Sequence, residues 1–100
     1  TDGTVRFVVG GNITEPVKIS GPTPVYPEAA RRARIQGVVV LECTIGKDGG
    51  VQNVKVLRGL PLGLTETAVE AVQKWRFQPS TLNGKPVEVL YILTVRFNLQ

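Results

Sequence analysis

The sequence predicts an α+β fold in two layers: a three-stranded antiparallel sheet in the order second, first, third strand, with two helices on one face and an extended or strand-forming segment at the N-terminus. Three observations predict it. Residues 38–45 and 51–58 alternate apolar and polar on either side of Lys47-Asp48-Gly49-Gly50, the pattern of a hairpin. Ala68, Ala71, Val72 and Trp75 recur at the spacing of one helix face. Residues 87–99 alternate again, over an unusually long run for one strand. If a helix carries the chain from the second strand to a third one parallel to it, the crossover must be right-handed and pass over the first strand. The first strand is then central and the long strand is an edge.

Composition sets bounds on the chemistry. One hundred residues with 42% hydrophobic content suit one compact domain with a modest core. The chain has no His or Met and one Cys, so His-based acid–base chemistry, Cys/His nucleophiles and clustered zinc ligands are excluded, and neither a catalytic nor a metal site is expected. Cys43 alternates with Val39, Leu41 and Ile45, which predicts a buried thiol behaving as a small hydrophobe. No apolar run approaches the ~20 residues that span a bilayer, which predicts a soluble piece.

In chain order, residues 5–9 form a short β-prone run stopped by Gly10-Gly11-Asn12, within an N-terminal extension of residues 1–15; residues 16–100 form the domain proper. Residues 16–24 hold Gly21, Pro22 and Pro24, a composition favouring an extended surface strap. Tyr26-Pro27 opens a helix running to about Ile35, with Pro27 at the first helical position and Glu28 at the positive end of the dipole. Ala29, Ala30 and Ala33 let that helix approach the layer beneath. Arg31, Arg32 and Arg34 suit its negative end, and Gly37 is placed to cap it in the left-handed conformation.

In the first strand Val39, Leu41, Cys43 and Ile45 share one face, with Val38, Val40, Glu42 and Thr44 on the other. Asp48-Gly49 supplies positive φ for a tight turn, and the strand returns with Val54 and Val56 facing the core. Residues 59–63 break the strand, Thr65 caps the second helix, and Leu64 staples against Val69. The helix runs into Trp75-Arg76-Phe77-Gln78-Pro79, Asn83-Gly84 turns, and the long strand follows. Val87, Val89, Tyr91, Leu93, Val95, Phe97 and Leu99 share one face; Glu88, Leu90, Ile92, Thr94 and Arg96 share the other. With Val38, Val40, Leu90 and Ile92 the outer face is more apolar than an uncovered sheet needs, so residues 5–9 are expected to cover part of it or its rim by pairing with a sheet edge of this or a neighbouring chain.

The Tyr26-Pro27 helix start, the Lys47-Asp48-Gly49-Gly50 hairpin, the Trp75-Arg76-Phe77-Gln78-Pro79 segment and the long closing strand, in that order, resemble the C-terminal domain of the TonB energy-transducer family. The likeness covers residues 16–99 and rests on the order of the landmarks. It implies a periplasmic module of an inner-membrane-anchored protein in a Gram-negative-type envelope, whose anchor and Pro-rich spacer lie outside this sequence. It further implies capture of the short box of TonB-dependent outer-membrane receptors by β-strand addition, and energising by an ExbB/ExbD-type motor through the anchor. Carried over residue by residue, the contacting backbone is Val87, Val89, Leu90, Tyr91, Ile92, Leu93, Thr94, Val95, Arg96 and Phe97, flanked by Thr23, Pro24, Val25 and Tyr26. The residues themselves favour such a role, since the strand is long, free of proline and charged only at Glu88 and Arg96.

Other readings compete. The edge is equally suited to pairing in a homodimer. A related envelope or sensor domain would bind a different periplasmic partner on the same edge. Net charge +4 and pI ≈ 9.6 permit a nucleic-acid-binding domain. The basic residues are dispersed outside residues 31–34, however, and the sheet lacks an exposed aromatic stacking pair, so no nucleic acid is expected. Trp75 and Phe77 read as core, Tyr26 as a ring packed and hydrogen-bonded locally, and the helix arginines as a solvated face. Glu66 and Glu70 share a helix face but have no base, nucleophile or phosphate-cradling loop beside them, so an enzyme is not expected.

Overall fold

The computed structural model describes residues 7–99. Its elements are β1 (Phe7–Val8), β2 (Val17–Ser20), α1 (Glu28–Arg32), β3 (Gly37–Ile45), β4 (Val51–Arg58), α2 (Leu64–Val72), β5 (Arg76–Gln78), β6 (Thr81–Leu82), β7 (Lys85–Pro86) and β8 (Val89–Phe97). The main sheet runs β1-β8-β3-β4, so β3 is central between antiparallel neighbours β4 and β8, as the crossover rule requires. The fourth strand, β1, lies parallel to the start of β8, with Phe7 opposite Val89 and Val8 opposite Leu90. The expected edge pairing of the N-terminal run is therefore seen for Phe7 and Val8; Val5 and Arg6 fall outside the described residues.

The core lies between the sheet and the helices. Val39, Leu41, Cys43 and Ile45 of β3 are fully buried, facing Ala30 of α1 and Leu64, Ala68 and Val72 of α2, with Val89, Leu93, Val95 and Phe97 of β8 completing the cluster. Each fully buried aliphatic side chain of this kind contributes about 1.5–3 kcal/mol. Of the three alanines in the first helix region only Ala30 is buried.

Several local expectations differ in instructive ways. Pro27 sits one residue earlier than expected, as the N-cap with ψ 142°, and α1 ends at Arg32. Arg34, not Gly37, takes the left-handed conformation after it, at φ 57°; Gly37 opens β3. The β3–β4 turn spans Gly46 to Gly49, closed by the Gly49 amide donating to Gly46 O at 2.9 Å, and only Gly49 has positive φ. Asp48 serves instead as an acceptor for the Gly50 amide at 2.9 Å. In β4 the register shifts twice against β3, once at the left-handed Asn53. Such bulges break alternation. Val54 stays packed on the core, whereas Val56, though opposite the buried Leu41, is 42% exposed on the edge strand.

Gly63, at φ 87°, is the N-cap of α2 in place of Thr65. Thr65 lies inside the first turn and its hydroxyl clamps Leu60, accepting from the amide at 2.7 Å and donating to the carbonyl at 2.9 Å. Leu64 is fully buried as the first helical residue. Asn83 and Gly84 both have positive φ, the two-residue turn that such a pair favours, and join β6 to β7. The closing strand is shorter than residues 87–99. Val87 precedes it, its amide donating to Ser80 O at 2.9 Å.

Candidate functional site

Strand β8 is bonded along one side to β3 in unbroken register, from Gly37 opposite Phe97 to Ile45 opposite Val89. On its other side only Val89 and Leu90 have a neighbouring strand; residues 91–97 have none among the described residues. At ~3.4 Å per residue that leaves about 24 Å of open edge. Natural edges are normally blunted by charge, proline, a bulge or shortness. This stretch has no proline and one charged residue, Arg96, and its register against β3 is regular. Leu93, Val95 and Phe97 point into the core and fix the strand, while Ile92, Thr94 and Arg96 face outward, Ile92 being 47% exposed. A strand in regular register on one side, with open backbone groups on the other and alternate side chains on view, is a template for one more strand.

Both ends of the open edge are built differently. At the far end the Tyr26 ring stands edge-on against Phe97, centroids 5.5 Å apart, and its hydroxyl donates to the Ile35 carbonyl. Gln36 Oε1 accepts from the Leu99 amide at 2.8 Å and holds the chain after the strand. Tyr26, Arg31, Arg32, Arg34, Asn98 and Leu99 line a pocket of about 540 Å3 there. Arg32 pairs with Glu28 at 3.6 Å, but both side chains are exposed, so solvent screens the pair. Three guanidiniums around one pocket make that end electropositive.

At the near end lies β1. Tyr91 packs edge-on against Phe77 at 6.4 Å, and its hydroxyl is 3.5 Å from Glu15 Oε1. Burial, then the Glu15 carboxylate, pushes the Tyr91 phenol above its ordinary value, so it stays protonated.

The sequence grouped Thr23, Pro24 and Val25 beside the strand. The structure puts them, with Pro22, in a shallow cleft of about 100 Å3 against Thr67, Glu70, Ala71 and Lys74, with Val25 73% exposed. Tyr26 itself contacts β8 at Phe97. The strap is held by Trp75, whose indole Nε1–H donates to Pro22 O at 2.7 Å, and Lys18 Nζ sits 3.9 Å over the same ring. A Cβ on Gly21 would lie 2.2 Å from Trp75 Cδ1, so only glycine lets the strap approach so closely. Strand β2 of the strap pairs antiparallel with β5, which is itself tied to the hairpin through Gly50 and Arg76. Trp75 is thus half-buried and anchors the strap, where the sequence placed it in the core; Phe77 is buried as expected. Sequence reasoning missed the arginine pocket, although Tyr26, Arg31, Arg32 and Arg34 within nine residues were its visible signal.

Cys43 is fully buried under the helices, and burial, with Glu42 adding to it, pushes its thiol up to about 11. It takes no part in the edge. No group of three or more His, Cys, Asp or Glu side chains placed to hold a metal occurs among the described residues.

Comparison with known proteins gives a consistent picture. A family model described as the Gram-negative bacterial TonB protein C-terminal matches residues 22–99. Protein TonB of Xanthomonas campestris pv. campestris is 35% identical over 92 residues, covering 91% of this chain and 41% of that protein. Protein TonB of Escherichia coli K12 is 36% identical over 72 residues, covering 71% of this chain and 28% of that protein. The solution NMR structure of the Pseudomonas aeruginosa TonB CTD superposes with a TM-score of 0.69 at 29% identity, covering 91% of this chain and 90% of that one. The chain spans less than half the length of these curated relatives.

Proposed function

The chain belongs to the family of Gram-negative bacterial TonB C-terminal domains, and on that basis we propose that it is the receptor-gripping domain of an energy transducer. In this reading it sits in the periplasm, is tied to the inner membrane by a segment outside this sequence, and is driven there by an ExbB/ExbD-type motor. It takes the box of a TonB-dependent outer-membrane receptor as an added strand along β8. The supporting observation is the backbone edge of residues 91–97, open among the described residues, regular in register, unblunted and ending at an electropositive pocket.

The energetics suit a reversible grip. Five backbone hydrogen bonds at about 0.5–1.5 kcal/mol net each, less the entropy of ordering a free peptide, correspond to micromolar affinity or weaker. Such a bond array resists a pull along the strand, where all bonds load together, better than a pull that unzips them in turn. Force spectroscopy in the two geometries checks this: shear rupture forces exceed unzipping forces, and equal forces would contradict the mechanical part of the reading.

A backbone NMR titration tests the binding itself. A synthetic receptor-box peptide gives saturable shifts along residues 91–97 and at Tyr26, and a scrambled peptide and a short oligonucleotide do not. Saturation by the oligonucleotide alone, with a steep salt dependence, would replace this reading with nucleic-acid binding.

A further inference from the structure

The N-terminal strand lies on the edge that the proposed function assigns to the receptor peptide. We propose that β1 is a built-in, displaceable guard on that edge, competing with the incoming strand for Val89 and Leu90; this rests on the reading that β8 is the peptide's template.

Three observations carry it. First, β1 uses the same side of β8 that a peptide would, in the manner of an added strand. Second, it is tethered close by. The Thr14 amide donates to Thr81 O at 3.1 Å, the Thr81 amide donates to Thr14 Oγ1 at 2.9 Å, and Ile13 bridges Leu82 and packs on the core. A short turn from Gly10 to Ile13, bonded in both directions, connects this anchor to β1. A strand held on so short a leash faces its site at an effective concentration on the order of millimolar. Third, the grip is small. After Val8 the chain turns away at Gly10 and Gly11, with φ 143° and 58°, so the ladder stops at Leu90 and residues 91–97 stay open among the described residues. A two-residue ladder opens readily, while the Thr14–Thr81 anchor keeps the segment near. A peptide pairing only with residues 91–97 would leave β1 in place; one using the whole edge must displace it, and its apparent affinity falls by the fraction of molecules in which β1 is closed.

The test uses the full chain in three forms. Phe7→Pro with Val8→Pro removes both β1 backbone donors without touching β8. Val8→Cys with Leu90→Cys, oxidised, locks β1 down, and the same variant reduced is its control; Cys43 is buried and does not compete for the bridge. Binding of a receptor-box peptide is measured by titration calorimetry, with amide spectra confirming the fold. The proline variant binds about three- to ten-fold more tightly than the unmodified chain, the range for a weakly closed competitor, and the oxidised variant binds more weakly than its reduced form. Equal affinities in the proline variant and the unmodified chain would overturn the guard while leaving the edge reading intact. If folded proline variant and unmodified chain both fail to bind, the edge reading itself falls, and the guard with it.

Discussion

Gly49→Ala tests how tightly the hairpin is seated against the segment that carries the strap. Gly49 has φ +83°, where an L side chain costs about 1–2 kcal/mol. A Cβ placed there lies 1.9 Å from Phe77 O, against the 3.0 Å below which such contacts essentially never occur, so the hairpin and β5 must part by about 1 Å. That movement stretches the bond from the Phe77 amide to Gly49 O, now 2.9 Å, and its loss adds about 1 kcal/mol. The total is about 2–3 kcal/mol, a large share of the ~5–15 kcal/mol typical of a whole domain. Gly84→Ala is the control, because Gly84 has φ +82° and an added methyl would meet nothing within 4 Å, leaving only the backbone cost of about 1–2 kcal/mol. Urea unfolding followed by the fluorescence of the single tryptophan, Trp75, measures both. Equal losses in the two variants would refute the steric argument.

Other consequences follow from the same geometry. Trp75→Phe keeps an aromatic ring but removes the donor to Pro22 O, so amides of residues 17–24 exchange faster and stability falls by about 1–2 kcal/mol in urea titration followed by circular dichroism. Thr65→Val keeps the shape but deletes both bonds to Leu60, costing about 1–2 kcal/mol in the same assay. The Cys43 thiol, raised from 9.0 to about 11, contributes stability that is complete below pH 9 and is lost as pH rises toward 11, because the unfolded thiol ionises first. Denaturation at pH 8 and at about pH 10.5 shows the fall, and Cys43→Ala shows a smaller one.

Much of the fold was legible because it rests on periodicity. The alternation of Val39, Leu41, Cys43 and Ile45, the stripe of Ala68, Ala71 and Val72, and the crossover rule together specify sheet order, helix placement and core face. What the sequence hid was local backbone geometry. Val56 keeps the core face, opposite the buried Leu41, yet is left exposed on an edge strand, and a left-handed Arg34 and Gly63 do the capping assigned to Gly37 and Thr65. These depend on tertiary contacts that outweigh local propensity. The candidate edge was readable from strand length and lack of charge, whereas the cleft that Thr23, Pro24 and Val25 form with α2 was not. The strap's seat beside that cleft rests on a long-range bond from Trp75 to Pro22 and on the space Gly21 leaves for the ring.

Strand addition makes a claim about backbone bonds that peptide affinity alone does not test. Amide hydrogen exchange of the full chain, with and without a saturating receptor-box peptide, tests it most directly. Strand addition predicts that alternate amides within residues 91–97, those pointing away from β3, slow markedly on binding while those already bonded to β3 change little. Binding that leaves every one of these outward amides exchanging at its free rate would contradict strand addition at β8.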